Sequence, residues 1–291
     1  MSITHISDTA RWVALYRARE SERPDALFHD PFARRLAGPE GERMVRRLEA
    51  KMRGEWPVIV RTAVMDEIVL RLVGSGVRQV LNLAAGLDAR PWRLALPPTL
   101  HWIDVDLAGV LDHKLHVLAG ESPRCQYTAE PIDLTDVAQR RELLARLDAM
   151  GETLVLTEGL LVYLDAAMVA TLAGELHAVR ACRYWLCDLA SPDLLRIAAE
   201  QRGPKDTALD AAVLRFAPED ASAWFAAHGW SEVEFRSTVN EGIRLQRTAP
   251  LGDFWDQLGP SRGMSRKERI RRFSGIVLFE RLALRGNSGM E

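Results

Sequence analysis

Short apolar runs alternate with segments of helical periodicity between residues 77 and 190, and this alternation limits the fold more than any other feature of the chain. Strands that are apolar along their whole length are buried on both faces, and strands separated by helices pair in parallel. The pattern therefore predicts an α/β fold whose parallel sheet is covered by helices on both sides. The predicted strands are 77–84, 100–105, 125–128, 153–157 and 184–189, and the helices between them are 108–118, 137–150 and 166–179.

The segment before the alternation is predicted to be helical. Residues 8–50 are strongly charged, and prolines at Pro24 and Pro31 break their helical pattern. Asp30 and Pro31 together form a typical helix start, with the aspartate as cap and the proline in the first turn. Residues 57–73 place apolar side chains at helical spacing, which predicts a longer amphipathic helix in front of the first strand.

Beyond residue 190 the alternation ends. The sequence predicts a helix at 218–228, a strand after Gly229 and a final strand at 274–284, and the two strands suit an antiparallel addition to the sheet. Residues 200–216 interrupt the pattern and are expected to belong to a cap. We expect one domain, divided into an N-terminal helical cap (1–56), a cofactor-binding core (57–190), and a cap insertion with the closing strands (191–291).

Composition and charge argue against several classes of partner and site. The formal net charge is −2 and no apolar stretch is long enough for a membrane span, so neither nucleic acid nor a membrane is an expected partner. Three cysteines without CxxC spacing, and a beginning without a signal-peptide pattern, favour a reducing, cytoplasmic compartment. His113 and His116 lie three apart on a predicted helix, but no third ligand has suggestive spacing, so no metal site is predicted.

The turn after the first predicted strand is a candidate ligand site. Ligands of open parallel sheets bind beyond the carboxyl ends of the strands, and Ala84, Ala85 and Gly86 are small enough to let a ligand approach the backbone. A helix expected from about residue 87 would offer free N–H groups to an anion. The alternative is a turn without a ligand. Asp88 and Arg90 suit an ion pair that anchors the turn, with Arg90 also able to reach a ligand carboxylate.

An acid, Asp106, follows the second predicted strand, twenty positions after Gly86. A carboxylate at this place accepts hydrogen bonds from both hydroxyls of a ribose, although capping of the next helix is the alternative. We expect Asp104 to point to the other face of the strand. Only Gly86 remains of the dinucleotide fingerprint G-x-G-x-x-G, because Ala84 and Ala89 stand at the other two positions. An adenosyl ligand without a pyrophosphate fits better, and S-adenosylmethionine is the obvious one.

The stretch PIDLTD follows the third predicted strand. Asp133 is placed to accept from an adenine amino group, and Leu134 to pack on the adenine ring. The alternative is an ordinary helix cap formed by Asp133 or Thr135.

Glu158 ends the fourth predicted strand and therefore lies at the same edge of the sheet. A carboxylate there needs solvent or a partner, and the positive sulfonium of S-adenosylmethionine would suit it. Tyr163 is a candidate for the same cleft or for the core. Arg61, on the helix before the first strand, is able to hold a ligand carboxylate with two N–H groups if that helix crosses this edge. A surface ion pair is the alternative for Arg61.

Taken together, these stretches resemble the leucine carboxyl methyltransferase family, and most closely its bacterial branch of S-adenosylmethionine-dependent methyltransferases, which includes polyketide O-methyltransferases. The resemblance covers most of the chain. It rests on DTARWVALYRARE, LFHDPFARRL, RTAVMDEIV, NLAAGLDARPWRL, VDL, DL and TEGLLVYL, in that order. It implies a class I methyltransferase fold, with a Rossmann-like sheet of seven strands, the last antiparallel, extra N-terminal helices and a cap.

The resemblance also implies roles for single residues. Arg61 corresponds to the arginine that binds the methionine carboxylate, Gly86 to the glycine of the first turn, and Asp106 to the ribose acid. The adenine-contacting pair corresponds to Asp133 and Leu134, and the acid of the fourth strand to Glu158. A basic contact from the N-terminal segment matches Arg17 or Arg19 loosely.

We therefore expect an O-methyltransferase that uses S-adenosylmethionine on a small-molecule carboxylate or phenol. A carboxylate is ionised at neutral pH and needs no general base, whereas a phenol benefits from one, for which His29 and Tyr163 are the candidates. Arg17 and Tyr163 are the candidates for binding the acceptor. Three alternatives remain: a protein C-terminal carboxyl methyltransferase, an NAD-dependent oxidoreductase, and a binding module without turnover.

Overall fold

A seven-stranded sheet in the order β3-β2-β1-β4-β5-β7-β6 forms the centre of the molecule. The computed structural model describes residues 4–48, 55–147, 151–200, 214–248, 253–258 and 264–283. The strands are β1 (Gln79–Leu83), β2 (His101–Asp106), β3 (Gln126–Pro131), β4 (Thr153–Thr157), β5 (Cys182–Ala190), β6 (Trp230–Ser237) and β7 (Ser274–Arg281).

The strand directions confirm the predicted fold class. Strands β1 to β5 pair in parallel, and β7 runs antiparallel to both β5 and β6. This is the class I methyltransferase arrangement, with the last strand reversed. The register brings Leu83 level with Val105, and Thr157 level with Cys187. The residues that follow these strands therefore emerge together at one edge of the sheet.

Helices cover both faces of the sheet. The helices are α1 (Thr4–Ser21), α2 (Ala33–Leu48), α3 (Trp56–Gly74), α4 (Arg90–Arg93), α5 (Ala108–Val117), α6 (Val137–Ala145), α7 (Ala166–Ala178), α8 (Pro192–Glu200), α9 (Ala221–Ala227), α10 (Thr238–Arg244) and α11 (Arg266–Arg271). Leu81 and Leu83 pack into a core with α6 and α7, whereas Val80 packs into a second core with α3. Alternate residues of one strand thus enter different cores, which explains why the strands are apolar throughout. No described helix combines the length and the apolar character of a membrane-spanning segment.

The helix expected from about residue 87 is wrong in place and in length. The backbone turns helical only at α4, which is a single turn. Asp88 delays the start because its carboxylate accepts from the Arg90 N–H at 2.8 Å. Leu94 is already extended, and Pro97 and Pro98 follow, so the helix cannot continue. The turn after β1 is therefore not followed by a long helix.

The observed helix starts two residues later than the Asp30–Pro31 pattern predicts. Helix α2 begins at Ala33, and Asp30 accepts from the Phe32 N–H at 3.2 Å, which is the kind of bond that a capping carboxylate makes. Its other carboxylate oxygen accepts from Arg17 at 3.0 Å. The Asp30 side chain thus accepts from the backbone just before the helix, as the pattern predicts, and also from a buried arginine.

Beyond residue 190 the structure adds elements that the sequence analysis missed. The predicted antiparallel pair exists, but α10 and α11 lie between β6 and β7, so the pair is not a tight hairpin. Ser237 ends β6 and caps α10 by accepting from the Asn240 N–H, with no loop to mark the change. Of the expected cap at 200–216, residues 201–213 lie outside the described residues.

Candidate functional site

The turn after β1 is built on two left-handed backbone positions. Gly86 has φ +52°, and Ala84 has φ +53° although it carries a Cβ. A Cβ at Gly86 would approach the Ala10 side chain of α1 to 3.3 Å, so the N-terminal helix lies directly over the turn. Glycine at 86 is therefore required by conformation and by close approach, whereas alanine at 84 carries some backbone strain.

The Asp106 carboxylate is hydrogen-bonded to the backbone of this turn. One oxygen accepts from the Gly86 N–H at 2.7 Å and the other from the Leu107 N–H at 2.7 Å. Helix α5 has Leu107 as its cap residue and no side-chain cap bond, so the predicted alternative, in which Asp106 caps that helix, is wrong. Burial raises the pKa of Asp106, and the two amides offset this effect only in part. Each oxygen has a further lone pair with which to accept from a hydroxyl.

A polar cluster centred on the buried Asp104 lies beneath the turn. Asp104 accepts from Lys114 at 2.6 Å, from Tyr127 at 2.9 Å and from Asn82 at 2.9 Å. Lys114 also donates to the Asp88 carbonyl at 3.0 Å, which fastens the turn to α5. Asp104 is thus engaged by protein partners and does not compete with Asp106 for a ligand. Residues two apart in a strand lie on the same face, so strand alternation does not separate Asp104 from Asp106 as expected.

Arg90 lies at the centre of the sheet edge and is surrounded by three acids. Its guanidinium donates to Asp66 at 2.6 Å, to Asp88 at 2.7 Å and to Glu158 at 2.8 Å. Burial opposes the charge on Arg90, but Asp88, Glu158 and Asp66 outweigh it and raise its pKa. Burial likewise opposes ionisation of Asp88, and Arg90 nevertheless lowers the pKa of that carboxyl. The predicted ion pair of Asp88 and Arg90 therefore exists, as part of a larger network.

One nitrogen of Arg90 has no protein partner. Its Nη2 is buried and unpaired, as is the Thr62 hydroxyl on α3, within the part of the chain that the structure describes. An unpaired buried donor is costly, so a ligand group or a water at this place would relieve it. The predicted reach of Arg90 to a ligand carboxylate stays a prediction.

Arg61 is held between the ends of two neighbouring strands. Its Nε donates to Glu158 at 3.0 Å, and its Nη1 donates to Asp188, near the end of β5, at 3.0 Å. The Arg61 side chain is 18% exposed, so its ion pairs are mostly buried and are not the surface ion pair that was the alternative. Burial opposes ionisation of Glu158, but Arg90 and Arg61 together lower its pKa from 4.5 to about 2.

Two of the other predicted positions have structural partners of their own. Arg17 is buried and donates to Asp30 and, at 2.5 Å, to the Leu87 carbonyl of the turn. Arg19 lies at the surface and pairs with Glu55 at 3.7 Å. Arg17 thus stabilises the turn from α1, and its contact with an acceptor stays a prediction.

The remaining predicted positions are Asp133, Leu134, His29 and Tyr163. Asp133 is exposed and accepts from the Thr135 N–H and hydroxyl at 2.8 Å, while Leu134 packs partly against the core. The cap of α6 is Asp136, so the alternative prediction, in which Asp133 or Thr135 caps this helix, is wrong. His29 is exposed, and Tyr163 is half-buried in a short 3-10 helix. Tyr163 lies close enough to contribute to the pKa of Arg61.

Sequence reasoning missed Asp188, although the signal was present. The rule that led to Asp106 and Glu158 looks for an acid at the end of a strand, and Asp188 lies two residues before the end of β5, directly after the last residue that pairs in parallel with β4. Asp188 was overlooked because the predicted strand 184–189 reads straight through it. Asp66 and Lys114 were also missed, since nothing in their helical patterns shows which partner each one faces.

The strand ends thus carry acids on β2, β4 and β5, with Arg61 between the last two. A ligand with a ribose, a cation and a carboxylate has a complementary group for each part. Within the described segments no three His, Cys, Asp or Glu side chains are grouped so that they could hold a metal ion.

Comparison with known proteins shows to which family the chain belongs. A family described as "Leucine carboxyl methyltransferase" matches residues 10–177. A Streptomyces avermitilis protein named "Putative S-adenosyl-L-methionine-dependent methyltransferase" is 31% identical over 241 residues, covering 76% of this chain and 82% of that protein. A Streptomyces coelicolor protein with the same description is 32% identical over 237 residues, covering 76% of this chain and 82% of that one. Among solved structures, a DUF574 family protein from Streptomyces avermitilis aligns over 94% of this chain and 97% of its own, with a TM-score of 0.56 and 13% identity, which shows a shared fold.

Proposed function

Because this chain belongs to the leucine carboxyl methyltransferase family, we propose that it transfers a methyl group to an oxygen of a small-molecule acid or phenol. The chain is an S-adenosylmethionine-dependent methyltransferase, as its family and its relatives show. Family membership also weighs against the NAD-dependent oxidoreductase. What we propose beyond this is the class of acceptor and the transfer of the methyl group to an oxygen.

Hydrogen bonds link the residues at the matched family positions along one edge of the sheet, and this linkage supports the proposal. Gly86 donates to Asp106, and Arg90 connects the same turn, through Glu158, to Arg61. In this arrangement Asp106 would accept from the ribose hydroxyls, and Arg61 would donate to the methionine carboxylate. S-adenosylmethionine, when bound, supplies a methyl group on a positively charged sulfur.

The chain's own part in the reaction is alignment. Transfer needs the acceptor oxygen in line with the methyl group and water kept away, which is a matter of positioning. Glu158 stays ionised at neutral pH, because its pKa is about 2, and it therefore favours a cationic ligand nearby. His29 is exposed, which weakens its case as a general base. A carboxylate acceptor needs no base, so this favours an acid over a phenol.

Cofactor binding is tested by titration calorimetry with S-adenosylhomocysteine. Asp106→Ala is expected to weaken binding, because the carboxylate that would hold the ribose is lost. Asp112→Ala, an exposed aspartate on the following helix α5, is the matched control and is expected to bind as the parent does. Equal affinity of Asp106→Ala and parent would contradict the site.

The acceptor class is tested by methyl transfer from S-adenosylmethionine that carries a labelled methyl group. A methyl ester releases volatile labelled methanol in mild base, whereas a methyl ether does not. Small-molecule extracts and protein fractions are assayed side by side. Label in base-labile small molecules supports the proposal; base-labile label in protein alone would favour the protein carboxyl methyltransferase.

A further inference from the structure

We propose that Asp188 is a positioning residue that fixes Arg61 and thereby sets the affinity for the amino-acid part of the cofactor. The inference rests on the proposed binding of S-adenosylmethionine at this edge of the sheet. Asp188 would act through Arg61 and the backbone beside it, without touching the transferred methyl group.

The first step is the contact geometry. The Asp188 carboxylate accepts from Arg61 Nη1 at 3.0 Å with one oxygen and from the Gly159 N–H at 2.6 Å with the other. Thr157 pairs with Cys187 in the parallel register, so the residues that follow them emerge side by side. Asp188 therefore fastens an arginine of α3 to the turn after β4.

The second step is the conformation of that turn. Gly159 has φ +65°, and a Cβ there would lie 3.3 Å from Arg61 Nη1 and 3.6 Å from Nη2. The guanidinium thus lies against the bare backbone of Gly159. The Asp188 carboxylate accepts from both the Arg61 guanidinium and the Gly159 N–H, and these two bonds fix the plane of the guanidinium.

The third step is a comparison of the two acids that contact Arg61. Glu158 is shared, because its second oxygen accepts from the buried Arg90 at 2.8 Å. Asp188 has Arg61 as its ion-pair partner, and its side chain is 23% exposed. Glu158 alone leaves the guanidinium free to rotate about Nε, and Asp188 removes that freedom. The remaining N–H groups of Arg61 are then held ready for a carboxylate.

The experiment compares two ligands that differ only beyond the sulfur. S-adenosylhomocysteine carries the amino-acid part, and 5′-methylthioadenosine lacks it. In Asp188→Asn the amide oxygen is able to accept from Gly159, but Arg61 loses the counter-charge of Asp188 and keeps only that of Glu158, which it shares with Arg90. We expect this variant to bind S-adenosylhomocysteine about tenfold more weakly and 5′-methylthioadenosine with unchanged affinity.

The controls separate this role from a general structural one. Asp112→Asn removes an exposed aspartate and should change neither affinity, and circular dichroism with thermal melting checks that each variant is folded. Equal losses for both ligands, or no loss for either, would overturn the inference. Tighter binding of S-adenosylhomocysteine would also overturn it, because Asp188 would then compete with the ligand for Arg61. If the parent binds neither ligand, the proposed function itself fails.

Discussion

Two carboxylates at the same sheet edge are held in opposite ways. Asp106, at the end of β2, is bonded by two backbone amides, and burial raises its pKa. Glu158, after β4, is bonded by two arginines, which outweigh its burial and lower its pKa to about 2. The first side chain is tuned to accept from neutral hydroxyls, and the second is a fixed negative charge. A ligand with a neutral sugar at one end and a cation near the other matches this difference.

The largest effect is expected for Glu158→Gln. Arg61 and Arg90 would lose a shared counter-charge, and the drop in pKa from 4.5 to about 2 corresponds to a loss of roughly 3 kcal/mol in the free energy of unfolding at pH 7. Urea denaturation of variant and parent measures the difference.

The contribution of Glu158 to the free energy of unfolding should change with pH in a known direction. Because the folded pKa is lowered, the contribution of Glu158 is present above its ordinary pKa of 4.5 and is lost as the pH falls through about 2. The gap between parent and Glu158→Gln should therefore shrink as denaturation is moved from pH 5 towards pH 3. A gap that stays constant over this range would show that the charge is not its cause.

Asp106→Asn should have the opposite balance, with a clear effect on binding and little on stability. The folded pKa of Asp106 is raised above 3.8, so its contribution to stability is present below that pH and is lost as the pH rises through the folded pKa. At pH 7 its charge does not favour folding. We expect the unfolding free energy to change by less than about 1 kcal/mol, while the affinity for S-adenosylhomocysteine falls by about 1–2 kcal/mol. A stability loss as large as that of Glu158→Gln would remove the distinction between the two acids.

Gly86→Ala and Gly159→Ala test the two turns that carry these acids. Both glycines have positive φ, so each alanine should cost about 1–2 kcal/mol of stability. Gly159→Ala should also weaken binding of S-adenosylhomocysteine, because the new methyl group meets Arg61. Gly76→Ala is the control, with a positive φ and open space around the added Cβ. It should lose stability and leave affinity unchanged.

The smallest effect is expected for Ala84→Gly. This replacement relieves a left-handed alanine but makes the unfolded chain more flexible, and the two contributions nearly cancel. We expect a change in the unfolding free energy of less than about 1 kcal/mol. A stabilisation well above this value would mean that the turn stores more strain than its backbone angle indicates.

The sheet and the places of its acids were predictable because they follow from local pattern. Apolar runs gave the strands, and the residue after each run gave Asp106 and Glu158. The partners were not predictable, since Arg90 meets Asp66 and Arg61 meets Asp188 only through packing of α3 on the sheet edge. The late start of α4 was missed for a similar reason: the bond from Arg90 to Asp88 outweighs a helical pattern. The roles of Asp133, Leu134 and Tyr163 depend on a ligand and stay predictions.

The single turn of α4 has a consequence for engineering. In dinucleotide-binding folds a long helix follows the glycine turn, and its dipole and free amides hold the pyrophosphate. Here four residues stand in that place, and Asp88 already accepts from the Arg90 amide. Restoring glycines at Ala84 and Ala89 would therefore reproduce the fingerprint without creating the phosphate cradle. Converting this scaffold to a nicotinamide cofactor would require a new helix.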